Sequence, residues 1–402
     1  MAARDRWLLP EGVEEILPDE AYRLECLRRR TLDMYSSWGY EFVITPLIEF
    51  LDSLLVGSSH DLDLHTFKIT DQLTGRMMGI RADITPQVAR IDAHWLSKKE
   101  GSQSRPVRLC YADNVLHTKP RGLLASRTPI RIGAELFGHA GVTCDIELIC
   151  LMYETMKLAR IGDVHIVLGH VGIFRSLVQL ANLSTQHESE LFDATQRKSY
   201  EEIDLLLVAH VADEDVRVML RKLTHLHGDE SVLAGAALAF DNAPTSVKAE
   251  LMELDAIARG VRQRLPHISL GFDLCELRGY EYHTGIVFAA YTPDYGRAVA
   301  QGGRYNEIGS AFGRSRPASG FDADLKVIAR LSHADIQREP AIFAPLSQDT
   351  ELITLIAHLR ERGERVIENL DPAEPELKAL HEFECNRCIV RVATGWEVIE
   401  LN

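Results

Sequence analysis

The sequence predicts an α+β protein with a mostly helical insertion and a small α/β unit at its C-terminal end. Three observations carry that assignment. Strand-like runs come early and in pairs, as in HTFKITDQLTGRMMGI, where the turn residues lie between alternating flanks. Helical periodicities are segregated, most of them between about residues 163 and 266. After a proline-punctuated linker (REPAIFAPLS), the tail alternates strand and helix patterns. Early hairpins with segregated helices argue for an antiparallel sheet, and the alternating tail argues for a separate layer.

A first helix is expected over 19–38. Leu24, Leu27, Thr31, Met34, Tyr35 and Trp38 fall on one face, Asp19 can cap the start and Gly39 follows the end. EFVITP reads as a strand closed by Pro46, and the hairpin turn that follows lies at Gln72–Gly75. Thr85 as N-cap and Pro86 in the first turn begin another helix. VRLCYADNVLH and IRIGAELFGH form a second hairpin, whose long loop carries Lys119, Arg121 and Arg127, and a helix over 143–158 follows. That basic loop reads either as an anion cradle or as a solvated loop.

HIVLGH is a short strand, and VGIFRSLVQLANL, VRVMLRKLTHL and VKAELMELDAIARGVRQRL are helical. Strand character returns in ISLGFDLCELRGYEYHTGIVFAAY and RAVAQGG, and a helix is expected over 320–331. Two domains follow: 1–331, containing the insertion at about 163–266, and 332–402. In the tail, DTELITLIAHLRERG is a helix, ERVIENL a strand and CIVRVATGWEVIEL one or two more.

Composition narrows the function. The chain has 402 residues, 46% hydrophobic and 26% charged, enough for two or three cores. Its net charge of −15 opposes broad binding to nucleic acid, which needs clustered cations. No run approaches the ~20 apolar residues of a membrane helix, and the N-terminal stretch lacks a signal-peptide core. Seven scattered cysteines suit a reducing cytoplasm better than a disulfide framework. Cys385 and Cys388 form a lone CxxC without the second pair of a zinc site, and read as two reduced thiols. Neither a metal nor another cofactor is expected.

Three segments bring polar groups together. In GIRADITP, Arg81 and Asp83 alternate with Ile80 and Ile84, and Thr85 sits one step on. In LRGYEYHTGIVF, Arg278, Tyr280 and Tyr282 share a face by period two, with Gly279 and Gly285 allowing close backbone approach. In QGGRYNEI, two glycines precede Arg304 and Tyr305. Taken singly, these also read as a strand edge with a cap, a strand with glycine irregularities, and a turn.

Taken together and in order, they resemble the histidyl-tRNA synthetase core of the class II aminoacyl-tRNA synthetases. WGYEFVITPLIEF is similar to the first motif of that family, GIRADITPQVAR to its histidine-site segment, and the hairpin around LHTKPRGLLASRTPIRIGAELFGH to its second motif. LRGYEYHTGIVF resembles the histidine-specific "RGLDYY-x-G-x-VF", QGGRYNEI the "GGRYD", and FGRSRPASGFDADLKVI the third motif. The resemblance covers about residues 8–331. It implies an antiparallel sheet flanked by helices and a self-dimer through the first motif. It also places a histidine site at Asp83, Thr85, Arg131, Glu135, Arg278, Tyr282 and His283. Asp83 replaces a glutamate of the family pattern, Arg131 a glutamine and His283 a second tyrosine.

The departures lie at the nucleotide end. Class II synthetases grip ATP with two arginines, one from the second motif and one from the third, in a fork that lysine reproduces poorly. Here those positions align with His117 and Val327, Lys326 stands in the place of a glutamate, and Asp322 and Asp324 add negative charge. Each charge-assisted contact is worth roughly 1.5–3 kcal/mol, so losing both should abolish adenylate formation. The tail, 332–402, has seven Lys or Arg against fourteen Asp or Glu, unsuited to an anticodon.

A kept amino-acid end and a lost ATP end resemble the histidyl-tRNA synthetase-like regulatory subunits of ATP phosphoribosyltransferase. That resemblance implies a non-catalytic chain that assembles with a short-form catalytic subunit as a hetero-octamer, four copies of each. It also implies L-histidine as feedback effector of the first step of histidine biosynthesis, no tRNA and no membrane. The other readings left open are a histidine–tRNA ligase with rearranged ATP contacts and another synthetase-like protein that modifies a different acceptor, which would need the same missing ATP contacts.

Overall fold

The structure is a computed structural model, and it describes residues 7–56, 60–96, 105–120, 122, 125–277, 279–280, 282–370 and 384–401. The chain divides into two compact units, Met1–Ala334 and Asp335–Asn402. Among the described residues, no helix is long and apolar enough to cross a membrane.

In the first unit, α1 (Pro18–Ser37) opens on a proline in its first turn and buries Leu24, Leu27, Thr31 and Tyr35. β1 (Glu41–Phe42) is only two residues long, because the chain then leaves it for β2 (Ile48–Phe50), which belongs to a different sheet. Two short helices, α2 (Leu51–Leu54) and α3 (His60–His65), lead to the hairpin β3 (Phe67–Thr70) and β4 (Met77–Ile80). With β2, these form a three-stranded sheet in the order β2-β4-β3. Next come α4 (Thr85–Arg90), the hairpin β5 (Val107–Asn114) and β6 (Ile130–Phe137), and α5 (Val142–Leu158).

After β7 (His165–His170), the insertion packs α6 (Val171–Ala181), α7 (Thr185–Gln196), α8 (Tyr200–His210) and α9 (Glu214–Leu223). It continues with β8 (His227–Gly228), α10 (Ser231–Ala239) and α11 (Thr245–Arg264). The chain re-enters the sheet through β9 (Ser269–Asp273), β10 (Ile286–Thr292), β11 (Tyr295–Arg304) and β12 (Ala318–Asp324), then closes with α12 (Leu325–Leu331). The large sheet has nine strands in the order β1-β5-β6-β12-β11-β10-β7-β9-β8. Its neighbours are antiparallel except β1/β5 and β7/β9.

Two expectations change here. Residues 320–324 do not begin a helix; they lie in β12 at the sheet centre, and α12 starts only after Asp324, whose carboxylate accepts from Lys326 N at 3.0 Å. Alternating ASGFDAD suits a strand buried on both faces, with Phe321 edge-on to Tyr35 at 6.1 Å. The run from Leu274 to Gly285 is not a strand either. Gly279 adopts φ +66° and accepts from Tyr282 N and His283 N, which folds the segment into a turn, and β10 starts only at Ile286.

The second unit pairs β13 (Ala341–Ala344), β14 (Val366–Glu368), β15 (Cys385–Val392) and β16 (Gly395–Glu400) in the order β14-β13-β15-β16. One helix, α13 (Thr350–Glu361), buries Leu352, Ile356 and Leu359 against Ile342 and Ile389. Cys385 and Cys388 lie on β15.

Candidate functional site

One cavity of about 360 Å³ opens on β6, β10, β11 and β12, and is roofed by the start of α4 and by the turn 276–283. At its floor is Glu135, 1% exposed, on β6. Its carboxylate accepts from Thr85 Oγ1 at 2.8 Å, from Tyr111 OH at 3.1 Å and from Tyr305 OH. Gly320 stands opposite it in the β6/β12 register, and a Cβ there would collide with the Glu135 carboxylate. Burial pushes Glu135 up to about 8, against the pull of the hydroxyls.

The roof is built from backbone capping. Asp83 Oδ1 accepts from Ile84 N at 2.6 Å and from Thr85 N at 3.3 Å, so Asp83 holds the first turn of α4. Thr85, expected as the N-cap, is instead the first helical residue, which frees its hydroxyl for Glu135. Tyr282 is stacked on Tyr305 with centroids 5.0 Å apart, and its buried hydroxyl has no hydrogen-bond partner among the described residues. His283 also lines the cavity, and burial pushes it down to about 4, so the ring is neutral. Arg175 fixes this turn by donating to Tyr280 O at 2.8 Å and His283 O at 3.0 Å.

The structure thus brings Asp83, Thr85, Glu135, Tyr282 and His283 to one cavity. Arg131 is elsewhere. It pairs with Asp322 at 3.0 Å and lines the second cavity, because the carboxylate across the β6/β12 ladder draws it away. Arg278 lies outside the described residues. Arg81 and Arg304, which the sequence offered beside Asp83 and Tyr305, are internal braces. Arg81 is 1% exposed and bonds Asp113, Thr45 and Asn114, whereas Arg304 pairs with Asp145 and Glu253.

Sequence reasoning missed Tyr111, Glu276 and Asp322 as groups of this site. Tyr111 is hidden inside an apolar strand run, and its only signal is a hydroxyl where packing alone would put leucine or valine. Asp83, Glu135, Glu276 and Asp322 stand on the cavity walls, Asp322 already paired with Arg131.

A second cavity, of about 480 Å³, lies where the resemblance places the triphosphate. His117 is 1% exposed, and its Nε2 lies 3.0 Å from Ala82 O. Val327 contributes only an apolar wall. Two basic groups nearby are engaged. Lys326 Nζ meets Glu14 and Thr128 Oγ1, both at 3.2 Å. Arg127 donates to His117 O at 3.0 Å and to Glu11 O at 3.2 Å. Arg127 is therefore a tether rather than part of a solvated loop; Lys119 is exposed and Arg121 lies outside the described residues. Asp322 and Asp324 face the same space, as do Arg131, Arg297 and Arg330, none of which stands at position 117 or 327.

This fold defines a histidyl-tRNA synthetase-like scaffold of class II. The family model for histidyl-tRNA synthetase matches residues 12–328, and that for the C-terminal domain of ATP phosphoribosyltransferase subunit HisZ matches residues 339–399. The chain belongs to the ATP phosphoribosyltransferase regulatory subunit family: it is 50% identical to that subunit from Pseudomonas fluorescens (strain Pf0-1) and 52% identical to that from Ectopseudomonas mendocina (strain ymp), over the whole of each chain. Among solved structures it is similar to an ATP phosphoribosyltransferase regulatory subunit/histidyl-tRNA synthetase from Bacillus halodurans. That match has TM-score 0.81 and 24% identity, covering 95% of this chain and 98% of the other. Histidyl-tRNA synthetase from Nostoc sp. PCC 7120 follows with TM-score 0.77 and 20% identity, covering 98% and 96%. These two show likeness of fold.

Proposed function

We propose that the chain is the regulatory subunit of ATP phosphoribosyltransferase, required by a short-form catalytic subunit and for histidine feedback on the first step of histidine biosynthesis, with no synthetase activity of its own. The observation that carries the non-catalytic reading is the second cavity. An aromatic ring bonded to Ala82 O and a valine stand where two arginines would hold ATP, and Asp322 and Asp324 repel phosphate. At those two positions no cation faces the charge that builds on an α-phosphate, and Arg131 in the same cavity is already paired with Asp322. The expected result is silence in pyrophosphate exchange with histidine and ATP, together with activation when the pure chain is added to the catalytic subunit. Exchange above background would restore the ligase reading.

L-Histidine is the effector this reading assigns to the first cavity. Its cationic nitrogens suit Asp83 and Glu135, the unpartnered Tyr282 hydroxyl offers a further bond, and Arg278 is the proposed partner of its carboxylate. Feedback requires histidine to bind one state of the complex better, and a tenfold shift corresponds to about 1.4 kcal/mol. Asp83→Ala and Arg278→Ala are expected to raise the histidine concentration for half-inhibition about tenfold or more, with assembly unchanged on size exclusion. Unchanged inhibition in both variants would place the sensor elsewhere.

The assembly proposed is a hetero-octamer of four copies of each chain, with a self-dimer through the first motif. Phe42, Ile44, Leu47 and Ile48 are exposed around β1, which sits at one edge of the large sheet, and would be covered by such a dimer. Sedimentation of the isolated chain as a monomer would remove the self-dimer from this reading. The acidic tail supports an absence of tRNA binding, and free thiols suit a cytoplasmic location.

A further inference from the structure

We propose that the helical insertion holds a divalent transition-metal ion between α7 and α8, ligated by His187, Glu190 and His210. α7 and α8 are joined by only three residues, 197–199, and the start of the first meets the end of the second. His187 lies in the first turn of α7, where its backbone N–H donates to Ser184 Oγ at 3.2 Å, and His210 is the last residue of α8. Their imidazoles face each other with centroids 3.6 Å apart. Glu190 is three residues beyond His187, so it projects from the same helix face. One ligand atom from each of the three lies within 4.8 Å of the others.

The donor set selects the ion. Two imidazoles and one carboxylate suit zinc, cobalt, nickel or copper, whereas magnesium and calcium prefer oxygen alone. Ligand bonds of about 2.0–2.2 Å require the three groups to close slightly and the ring planes to turn apart, so that both nitrogens address one point. His187 and Glu190 are half-buried and His210 is exposed, which allows these rotations and leaves a fourth position to water. Gln186 Nε2 already donates to Glu190 Oε1 at 2.9 Å, the kind of outer contact that orients a ligating carboxylate.

The ion would brace more than the hairpin. α7 also carries Glu188, which accepts from Tyr280 OH at 2.9 Å, and Phe192, whose ring lies 5.2 Å from that of Tyr280. Tyr280 belongs to the turn that roofs the first cavity. Metal at the open end of the α7–α8 hairpin therefore fixes the helix against which that turn is seated.

The test is a Co²⁺ titration of the tag-free, chelator-treated full-length chain. Expected are visible d–d absorption saturating near one equivalent and a Tm that rises with ion concentration, as mass action requires. His210→Ala, at an exposed position, should lose both signals and keep its far-UV circular dichroism; Glu190→Gln should weaken binding about tenfold. His187→Ala should behave as His210→Ala, and if it fails to fold, His210→Ala decides alone. Absence of stoichiometric binding, binding unchanged in His210→Ala, or a sulfur-to-metal charge-transfer band that places the ion on Cys385 and Cys388 would each overturn the site.

Discussion

Glu135→Gln is expected to be more stable than the natural chain at pH 8 and above, and nearly equal to it at pH 5. Glu135 is buried beneath the first cavity, where desolvation raises its pKa from an ordinary 4.5 to about 8. Between those values the folded chain keeps a proton that the unfolded chain has released. Stability therefore falls as pH rises through this window, because the native state binds more protons. Glutamine keeps the shape of the protonated acid and cannot ionise, so the variant escapes the loss. The difference at pH 8 is on the order of a few kcal/mol, since each pKa unit corresponds to about 1.4 kcal/mol. Urea unfolding of both chains from pH 5 to 8.5 measures it, and parallel profiles would show that Glu135 does not titrate in this range.

The same substitution should cost the response to histidine. Thr85, Tyr111 and Tyr305 all aim hydroxyls at this carboxylate, which presets it to face a cationic ligand. A bound cation can draw the proton off Glu135 and leave a carboxylate facing it, which an amide cannot provide, so the thermal shift proposed for histidine is expected to shrink by more than about tenfold in apparent affinity. A variant more stable at alkaline pH and deaf to histidine would separate the sensing role of Glu135 from any role in holding the fold.

Arg304→Leu is expected to act in the opposite direction, lowering stability by about 3–5 kcal/mol, the usual consequence of leaving a buried charge without its partner. Arg304 joins Asp145 on α5 to Glu253 on α11, tying the insertion to the main sheet. Asp145 is fully buried and, among the described residues, its one side-chain donor besides Arg304 is Ser319 Oγ at 2.7 Å. Burial already raises its pKa, and Arg304 is the largest opposing influence. Without the guanidinium, Asp145 must be buried as an anion or take up a proton. The deficit should therefore be greatest at neutral and alkaline pH and shrink toward acid, where protonation relieves it. Denaturant midpoints at pH 5 and pH 8 test this; a loss below about 1 kcal/mol at pH 8 would mean that Asp145 finds other compensation.

Much of this architecture was legible in the sequence, where local patterns and long-range needs agree. The hairpins, α1, α5 and the run of insertion helices declare themselves through apolar spacing and turn residues. GFDADL reads as a helix start only if the cap is put at the glycine; Asp324 caps it four residues later because Gly320 and Asp322 are required in the sheet, beside Glu135 and Arg131. Among the site residues, Asp83, Thr85, Glu135, Tyr282 and His283 are found together because their segments resemble a family in which they converge. The place of Arg131 depends on a carboxylate 191 residues away, to which no local pattern points. Arg81 and Arg304 show the same limit, since a buried ion pair and a ligand-gripping arginine look alike until the partner is seen.

The tethering of Arg127 and Lys326 to Glu11, His117 and Glu14 commits two cations near the second cavity to internal contacts. Reinstalling arginine at positions 117 and 327 would supply the missing prongs, but the first would have to occupy a sealed site and the neighbouring cations would still be turned toward the N-terminal segment. Two cations that fasten the N-terminal segment could be recruited by a bound anion only if that segment let go of them.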